Sequence, residues 1–555
     1  KLGAYLRDFR ALLDRYGYQT PMYGHFGDGL VHCRISFDIR HEEGVKTWRR
    51  FLDEAADLVV RYGGSLSGEH GDGQSKAALL GKMYGPELVE GFREFKAIWD
   101  PDGRMNPGKV VDPYPITSNL RLGPSYQPPK LDTWFDYSEV GGFQGAAARC
   151  VGVGLCRRVD TKGGVMCPSY LGTREEEHST RGRARMLFEM LHGGPLQQGW
   201  LSDAVHDALD LCLACKGCKG DCPVHVDMAT YKAEFHAHYY RGRLRPRTAY
   251  TMGRIQDWAR LAGAAPRLVN ALLRTPGLAE LAKWAGGIAQ ARQLPPFAPE
   301  PFTRWFRHRD SPRGRGRRVI LWPDTFNNFF RPETAKAAVR LLEAGGWEVH
   351  IPSRPLCCGR PLYDQGMLAE AKRLWRRTLD TLRPEIEAGT PVVGLEPACV
   401  TAFLDELPGL FPRDALARRL SQATHHIADF VMAEADRYPL RRIEGEAAKV
   451  QIHCHHHAVI KPKGERALLD RLGLGYEVMP FGCCGMAGAF GFEAEKYDLS
   501  QRIAERGLLP ALRAAPRETW VVADGFSCRE QIEQGTGRGT VHVAELAAAC
   551  LQRPA

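Results

Sequence analysis

The sequence predicts a multidomain chain, part α/β and part α, and three observations carry that reading. A run of cysteines, Cys212-Leu-Ala-Cys215-Lys-Gly-Cys218-Lys-Gly-Asp-Cys222-Pro223, lies among helix-like segments. Further on, a strand, a Cys-Cys-Gly turn, a second strand and another cysteine occur twice, about 130 residues apart. A proline-rich stretch between Asp112 and Lys130 separates the first hundred residues from both features.

Residues 1–113 read as mixed α/β, with helical spacing over 5–16 and 45–62 and a strand-like run over 30–39. Residues 114–145 are the linker, and 146–240 hold the first cysteine motifs on helical segments. Residues 241–316 form a helical connector without obvious chemistry, ending near the basic run Arg313-Gly-Arg-Gly-Arg-Arg318. That run reads as a solvated linker, and no nucleic-acid partner is expected. The repeat occupies 317–440 and 448–552. Its first copy runs from the strand Val319-Ile-Leu-Trp-Pro-Asp324 to Cys357-Cys358-Gly359 and Cys399. The second runs from Val450-Gln-Ile-His-Cys454 to Cys483-Cys484-Gly485 and Cys528. Strands alternating with helices predict a parallel sheet in each copy.

The composition narrows the class. Sixteen cysteines stand in a chain whose first residues, Lys1-Leu-Gly-Ala-Tyr-Leu-Arg, lack the apolar core of a secretory signal. This points to a reducing compartment and to metal ligation rather than disulfides. No apolar run reaches the ~18 residues of a membrane span. The expected location is cytoplasmic, with peripheral contact at the inner face of the membrane left open; the net charge of +10 suits an anionic partner or headgroup.

The spacing C-x2-C-x2-C-x3-C-P wraps three thiolates around one iron–sulfur cube and sends the fourth to a neighbouring cluster. Zinc knuckles and disulfide scaffolds fit it less well. Upstream, Cys150, Cys156 and Cys167-Pro168 outline a second such motif, with Val153 where a cysteine is expected. Interleaving the two motifs gives one complete site, Cys212, Cys215, Cys218 and Cys167. The other, Cys150, Cys156 and Cys222, is one thiolate short. That second site suits a 3Fe-4S cluster, or a 4Fe-4S cluster completed by His178, another side chain or water.

At the other end, His25 and His32 flank the glycine-rich turn of Gly24-His25-Phe-Gly-Asp-Gly-Leu-Val-His32, and Glu69-His70 sits in a second, Ser67-Gly-Glu69-His70-Gly. Two histidines and a carboxylate can hold a divalent metal with an open position, leaving a further histidine as base.

These segments, with Asn106-Pro107-Gly108-Lys109, resemble the C-terminal half of FAD-linked 2-hydroxyacid dehydrogenases, flavoproteins of the vanillyl-alcohol-oxidase type. The resemblance implies that His25, His32 and Glu69 hold a divalent metal (zinc or similar) that orients a 2-hydroxy acid. It implies that His70 takes the hydroxyl proton, and that Asn106 and Lys109 approach the FAD. Leu30 stands where the family motif has Asn. The family's FAD pyrophosphate-binding domain precedes this half, so the chain, which begins at Lys1, reads as the C-terminal portion of a longer polypeptide whose FAD-binding half is missing.

Cys454, Cys483, Cys484 and Cys528 resemble the cysteine-rich domain of heterodisulfide-reductase-type subunits and of glycolate and lactate oxidase iron–sulfur subunits. Such a set implies a further metal or cluster, or the wall of a quinone pocket. The first copy, with Asp324 in place of the first cysteine, reads as structural, as do Cys33 and Cys550. The expected order of parts is flavoprotein C-terminal half, helical two-cluster ferredoxin-like domain and two tandem α/β cysteine-rich (CCG) domains. It implies oxidation of D-lactate or D-2-hydroxyglutarate, with electrons passing through one or two clusters to a quinone, cytochrome or carrier protein. The alternatives are an electron-transfer subunit without its own dehydrogenase activity, or a heterodisulfide-type reductase acting at Cys483 and Cys484.

Overall fold

The structure, a computed structural model, describes residues 1–160, 164–193, 195–309 and 316–552. The chain divides into two compact units, Lys1–Pro128 and Pro129–Ala555.

In the first unit the helix Leu2–Tyr16 turns its Phe9, Leu12 and Leu13 onto Phe51 and Leu58 of the helix Glu42–Arg61. Full burial of such side chains stabilises by roughly 1.5–3 kcal/mol each. The first helix stops at Gly17, whose φ of 69° supplies the left-handed C-cap. Glu42 and Glu43 place negative charge at the N-terminus of the second. Between them the short strands Met22–Tyr23 and His32–Cys33 pair antiparallel, with Tyr23 opposite His32. The helix Leu80–Trp99 kinks at Gly85-Pro86, where the proline cannot continue the ladder.

The second unit opens with helices, including Gly142–Ala148, Thr180–His192, Asp203–Asp210 and Met228–Tyr239, that bury Phe143, Leu187, Leu209 and Phe235. Three amphipathic helices follow, Ile255–Ala262, Pro266–Arg274 and Leu278–Gly286. Next comes a four-stranded parallel sheet in the order Trp347–His350, Arg317–Leu321, Val392–Gly394, Thr424–His426. The last sheet has three parallel strands in the order Gly475–Val478, Ala447–Val450, Trp520–Val522.

The repeat read from the cysteines is thus a repeat of topology. In each sheet the copy's first strand is central, flanked by the two that follow it. The first copy adds a fourth strand, Thr424–His426, that no cysteine marked. One core runs through both sheets, with Val319 and Val393 of the first packed in the same cluster as Val450, Leu468 and Val522 of the second. Of the basic run Arg313–Arg318, the first three residues lie outside the described residues. Arg317 and Arg318 begin a strand, and the Arg317 guanidinium lies over the Trp347 ring at 4.1 Å. Among the described residues no helix is long and apolar enough to cross a membrane.

Candidate active site and electron-transfer sites

The first unit gathers the four residues singled out at its glycine-rich turns. His32 Nε2 lies 2.8 Å from Glu69 Oε1, and His70 Nε2 lies 3.0 Å from the same oxygen. His25 Nε2 stands 3.8 Å from Glu69 Oε2. Glu69 is therefore the hub. His32, Glu69 and His70 form the tightest trio, their ligand atoms within 4.8 Å of one another, and His25 approaches from the opposite oxygen. The glycines make this approach possible. Gly24 has a φ of 134°, and a side chain there would meet the His32 ring at 2.8 Å. A side chain at Gly68 would run into Leu30. Leu30, the departure from the family motif, is thus packed between the two turns instead of offering a polar contact. The site faces solvent, with the side chains of His25 and His70 65% and 71% exposed.

Asn106 takes a left-handed conformation, φ 51°, in the turn that follows the kinked helix Leu80–Trp99. Lys109 Nζ donates to Gln74 Oε1 at 3.1 Å, which ties this segment to the short helix just beyond His70.

In the second unit the thiols fall into two groups. One small cavity is lined by Cys167, Cys212, Cys215 and Cys218 together with Lys216 and Met228. Another is lined by Cys150, Cys156 and Cys222 together with Val153 and Arg181. Backbone donors already point at these sulfurs: Thr180 N–H to Cys167 at 3.0 Å, Arg181 N–H to Cys156 at 3.4 Å and Met228 N–H to Cys218 at 3.4 Å. Such donors favour thiolate over thiol. Burial works the other way, raising Cys218 to about 12. The hydrogen bond from Cys167 holds Cys156 below the ordinary thiol range. Both cavities thus have donor sets suited to iron–sulfur ligation. His178 is not part of the second cavity: its Nδ1 bonds Thr173 Oγ1 at 3.0 Å, so it does not supply the missing ligand.

The two α/β copies treat their cysteines differently. In the second, Cys483 hydrogen-bonds Cys454 and Cys484, and Cys484 bonds Cys528, so the four buried sulfurs form a connected chain. Cys454 and Cys483 also pack in one apolar cluster with Cys215 of the cluster cavity. In the first copy Cys399 Sγ lies 2.8 Å from Cys358 Sγ, while Asp324 accepts from the N–H groups of Phe326 and Asn327 and caps a helix. Asp324 therefore replaces the first cysteine with a cap. Cys33 and Cys550 pack in apolar surroundings, away from every thiol group described above.

One feature escaped the sequence reading. A cavity of about 350 Å³ opens between the connector helices and the two α/β copies. Trp258, Val269, Leu273 and Phe297 form much of its apolar wall, and Cys399, Cys454, Glu396 and His455 also line it. Its size is within the ~300–1,000 Å³ of small-molecule sites. Arg360, at the same cavity, donates to Glu406, to Asp364 and to the Ala214 carbonyl. Burial raises Glu396 to about 8, although the N–H groups of Phe526 and Ala398 donate to it. The lining comes from distant stretches of chain. The one local signal was the 3.6-residue apolar period of the connector, which predicted helices and not a cavity.

Comparison with known proteins gives these sites a context. Residues 1–110 match the family model of the FAD linked oxidases, C-terminal domain. Residues 146–226 match the 4Fe-4S dicluster domain, and 324–403 the cysteine-rich domain. The D-2-hydroxyglutarate dehydrogenase of Escherichia coli is 28% identical over 98% of this chain and 57% of its own length. The third of the lettered subunits of the anaerobic glycerol-3-phosphate dehydrogenase from the same organism is 28% identical over 51% of this chain and 72% of its own length. The D-lactate dehydrogenase of Archaeoglobus fulgidus is 38% identical over 20% of this chain and 24% of its own. The chain spans less than two thirds of the length of the D-2-hydroxyglutarate dehydrogenases it matches. Along its length stand, in order, the C-terminal domain of FAD-linked oxidases, a 4Fe-4S dicluster domain and a cysteine-rich domain, and over nearly all of it the chain is similar to D-2-hydroxyglutarate dehydrogenases.

Proposed function

We propose that the chain takes part in FAD- and iron–sulfur-dependent oxidation of a D-2-hydroxy acid, D-2-hydroxyglutarate or D-lactate, and passes the electrons to a lipid-soluble quinone. The observation that carries this reading is the convergence of His25, His32 and His70 on Glu69 in a chain that also buries two groups of cysteines. When bound, FAD would take up the hydride, the clusters would carry electrons singly and a divalent metal would polarise the alcohol oxygen.

The residues divide the work as follows. His25, His32 and Glu69 hold the metal, and Glu69 also fixes the ring of His70. His70, exposed to substrate, accepts the hydroxyl proton. Asn106 and Lys109 face the flavin, with Lys109 anchored through Gln74. Cys167, Cys212, Cys215 and Cys218 hold a 4Fe-4S cluster. Cys150, Cys156 and Cys222 hold a second one, of the 3Fe-4S type or with a non-thiolate fourth ligand. Cys454, Cys483, Cys484 and Cys528 stand beside Cys215 as a further metal or cluster site. Among quinone, cytochrome and carrier, the apolar cavity beside Cys454 and Cys399 supports the quinone. The exposed apolar residues of the connector support peripheral attachment to a membrane.

A second reading has one observation in its favour: the similarity to one subunit of the anaerobic glycerol-3-phosphate dehydrogenase covers half of this chain. It makes the chain an electron-transfer subunit served by a separate flavoprotein. The test is anaerobic reconstitution of the full chain with iron counting and EPR, followed by addition of FAD and D-2-hydroxyglutarate. About seven or eight irons per chain, the content of a 3Fe-4S or second 4Fe-4S cluster beside the first, and substrate-dependent bleaching of the cluster absorption are expected. Roughly four irons or fewer, one cluster's worth, overturns the second cluster. A full cluster complement that stays oxidised under substrate supports the subunit reading.

A further inference from the structure

Four buried polar side chains outside the cysteine sites meet inside the second unit. His426 ends the strand Thr424–His426 of the four-stranded sheet, and Asp524 follows the strand Trp520–Val522 of the three-stranded sheet. His456 lies two residues beyond Cys454, and Glu465 lies in the helix Lys463–Arg471. All four are 3% exposed or less. The ligand atoms of His426, His456 and Asp524 lie within 4.8 Å of one another. His426 Nε2 is 3.4 Å from Asp524 Oδ2, the rings of His426 and His456 are 4.4 Å apart at their centroids, and Glu465 Oε2 is 3.0 Å from His456 Nδ1.

The hydrogen-bond inventory is what marks this cluster. Both ring nitrogens of His426, both of His456, both oxygens of Glu465 and Asp524 Oδ2 lack an aligned hydrogen-bond partner among the described residues, the close approach of Glu465 to His456 included. Buried polar groups are almost always satisfied, so seven unsatisfied atoms in one place call for a common partner. The neighbouring His542 is already committed, its Nε2 bonding the Leu395 carbonyl and its Nδ1 accepting from Ala544 N–H. Asp524 Oδ1 likewise accepts from Val543 N–H, which leaves Oδ2 to face the histidines. Imidazole nitrogens and carboxylate oxygens are the ligands of zinc-type cations. Two ligands each ~2.1 Å from a tetrahedral ion stand about 3.4 Å apart, which is the separation of His426 from Asp524.

We propose that His426, His456 and Asp524 bind a divalent transition cation of the zinc class, with Glu465 as the positioning carboxylate behind His456. The ligands come from the C-terminal ends of strands in both sheets and from the segment that carries Cys454. The ion therefore clamps the two α/β copies together and fixes the approach of Cys454 and His455 to the apolar cavity. This assignment stands on the second unit alone and is independent of the hydroxy-acid reading.

The test uses the full chain, purified anaerobically with its clusters, in a Glu69→Gln background so that the exposed histidine site contributes no metal. Zinc or cobalt(II) is added, excess is removed by brief EDTA and gel filtration, and retained metal is measured beside acid-labile sulfide. One retained equivalent is expected, with cobalt giving visible ligand-field bands. His426→Ala should lose that equivalent with sulfide unchanged, and Glu465→Gln should weaken metal binding ~10–100-fold. Glu465→Gln keeps all three ligands and so decides the matter if His426→Ala fails to fold. A chain that retains no equivalent, one whose equivalent survives His426→Ala, or an affinity untouched by Glu465→Gln overturns the proposal.

Discussion

The histidine site of the first unit and the thiol sites of the second stand at opposite ends of the scale of burial. His25 and His70 project into solvent around one carboxylate. The cysteines of the complete cluster cavity and of the second α/β copy are, Cys212 excepted, in the interior, where they are counted among the residues of apolar cores. An exposed polar cluster contributes little to folding, so its residues can be kept for chemistry alone. An interior thiol is part of the core, so its loss disturbs fold and electron transfer together. The largest effect that sharpens this contrast is His70→Ala. In the flavin-loaded enzyme it should lower hydroxy-acid oxidation by ~10²–10⁴-fold, while unfolding in denaturant shifts by less than ~0.5 kcal/mol. A variant that unfolds, or one that keeps full activity, breaks the comparison at its exposed end.

The buried end is tested by a residue inside the cysteine motif that is not a cysteine. Lys216, 1% exposed, places its Nζ 2.8 Å from Asp227, 2.9 Å from Asp405 and 3.6 Å from Glu406. Burial opposes its charge, but these carboxylates hold it well above the ordinary lysine range. Asp405 and Glu406 belong to the first α/β copy, so the lysine fastens the cluster helices to that copy. Lys216→Met leaves buried carboxylates uncompensated and should cost ~3–5 kcal/mol of stability, read as a lowered denaturant midpoint. A loss below ~1 kcal/mol, the scale of an exposed ion pair, would show that the interior tolerates those carboxylates without their partner.

The pH dependence of stability offers a smaller and more selective probe. Glu396, at the apolar cavity, has its carboxyl pushed from 4.5 to about 8 by burial. Below the unfolded value both states carry the proton and nothing is lost. Between about pH 5 and pH 8 the unfolded chain ionises first, so the folded state loses stability as pH rises. Glu396→Gln removes this titration. Relative to the wild type it should gain up to a few kcal/mol across that window and no more above it. A wild-type-minus-variant difference that stays flat across this window would mean that the carboxylate is ionised in the folded protein.

Spacing made the cysteine chemistry legible because cluster ligation constrains short loops: the structure groups the seven thiols in the two sets that the interleaved motifs define. The glycine-flanked histidines were legible for a similar reason, since close approach of His25, His32 and Glu69 needs turns that only glycine permits. The strand Thr424–His426 carried no cysteine to mark it. The meeting of His426, His456 and Asp524 is set by the packing of one sheet on another, and no sequence spacing encodes it. His178 misled because its place beside the motif suggested ligation, whereas its hydrogen bond to Thr173 holds it elsewhere.

The connector helices give the last and smallest effect. Pro266–Arg274 buries only Pro266, and Leu278–Gly286 only Gly286, so their apolar faces are not spent on the core. Leu261, Leu268 and Trp284 are 69%, 62% and 62% exposed. Arg260, Arg267 and Arg274 are interspersed with them on the exposed helices. Leucine and tryptophan beside arginine is the composition of a helix lying in a membrane interface. Trp258 and Leu273 of the same helices wall the apolar cavity, so a chain seated this way would open that cavity to lipid. Replacing Leu261 and Leu268 by Ser should reduce co-flotation with phosphatidylglycerol vesicles about tenfold, a loss of ~1.4 kcal/mol. Stability should hold within ~0.5 kcal/mol, because neither side chain supports the fold. Raised salt should weaken the wild-type association through the arginines. Equal flotation of variant and wild type would free the connector of any membrane role. A wild-type dimer that the substitutions dissociate would instead assign the face to a second copy of the chain.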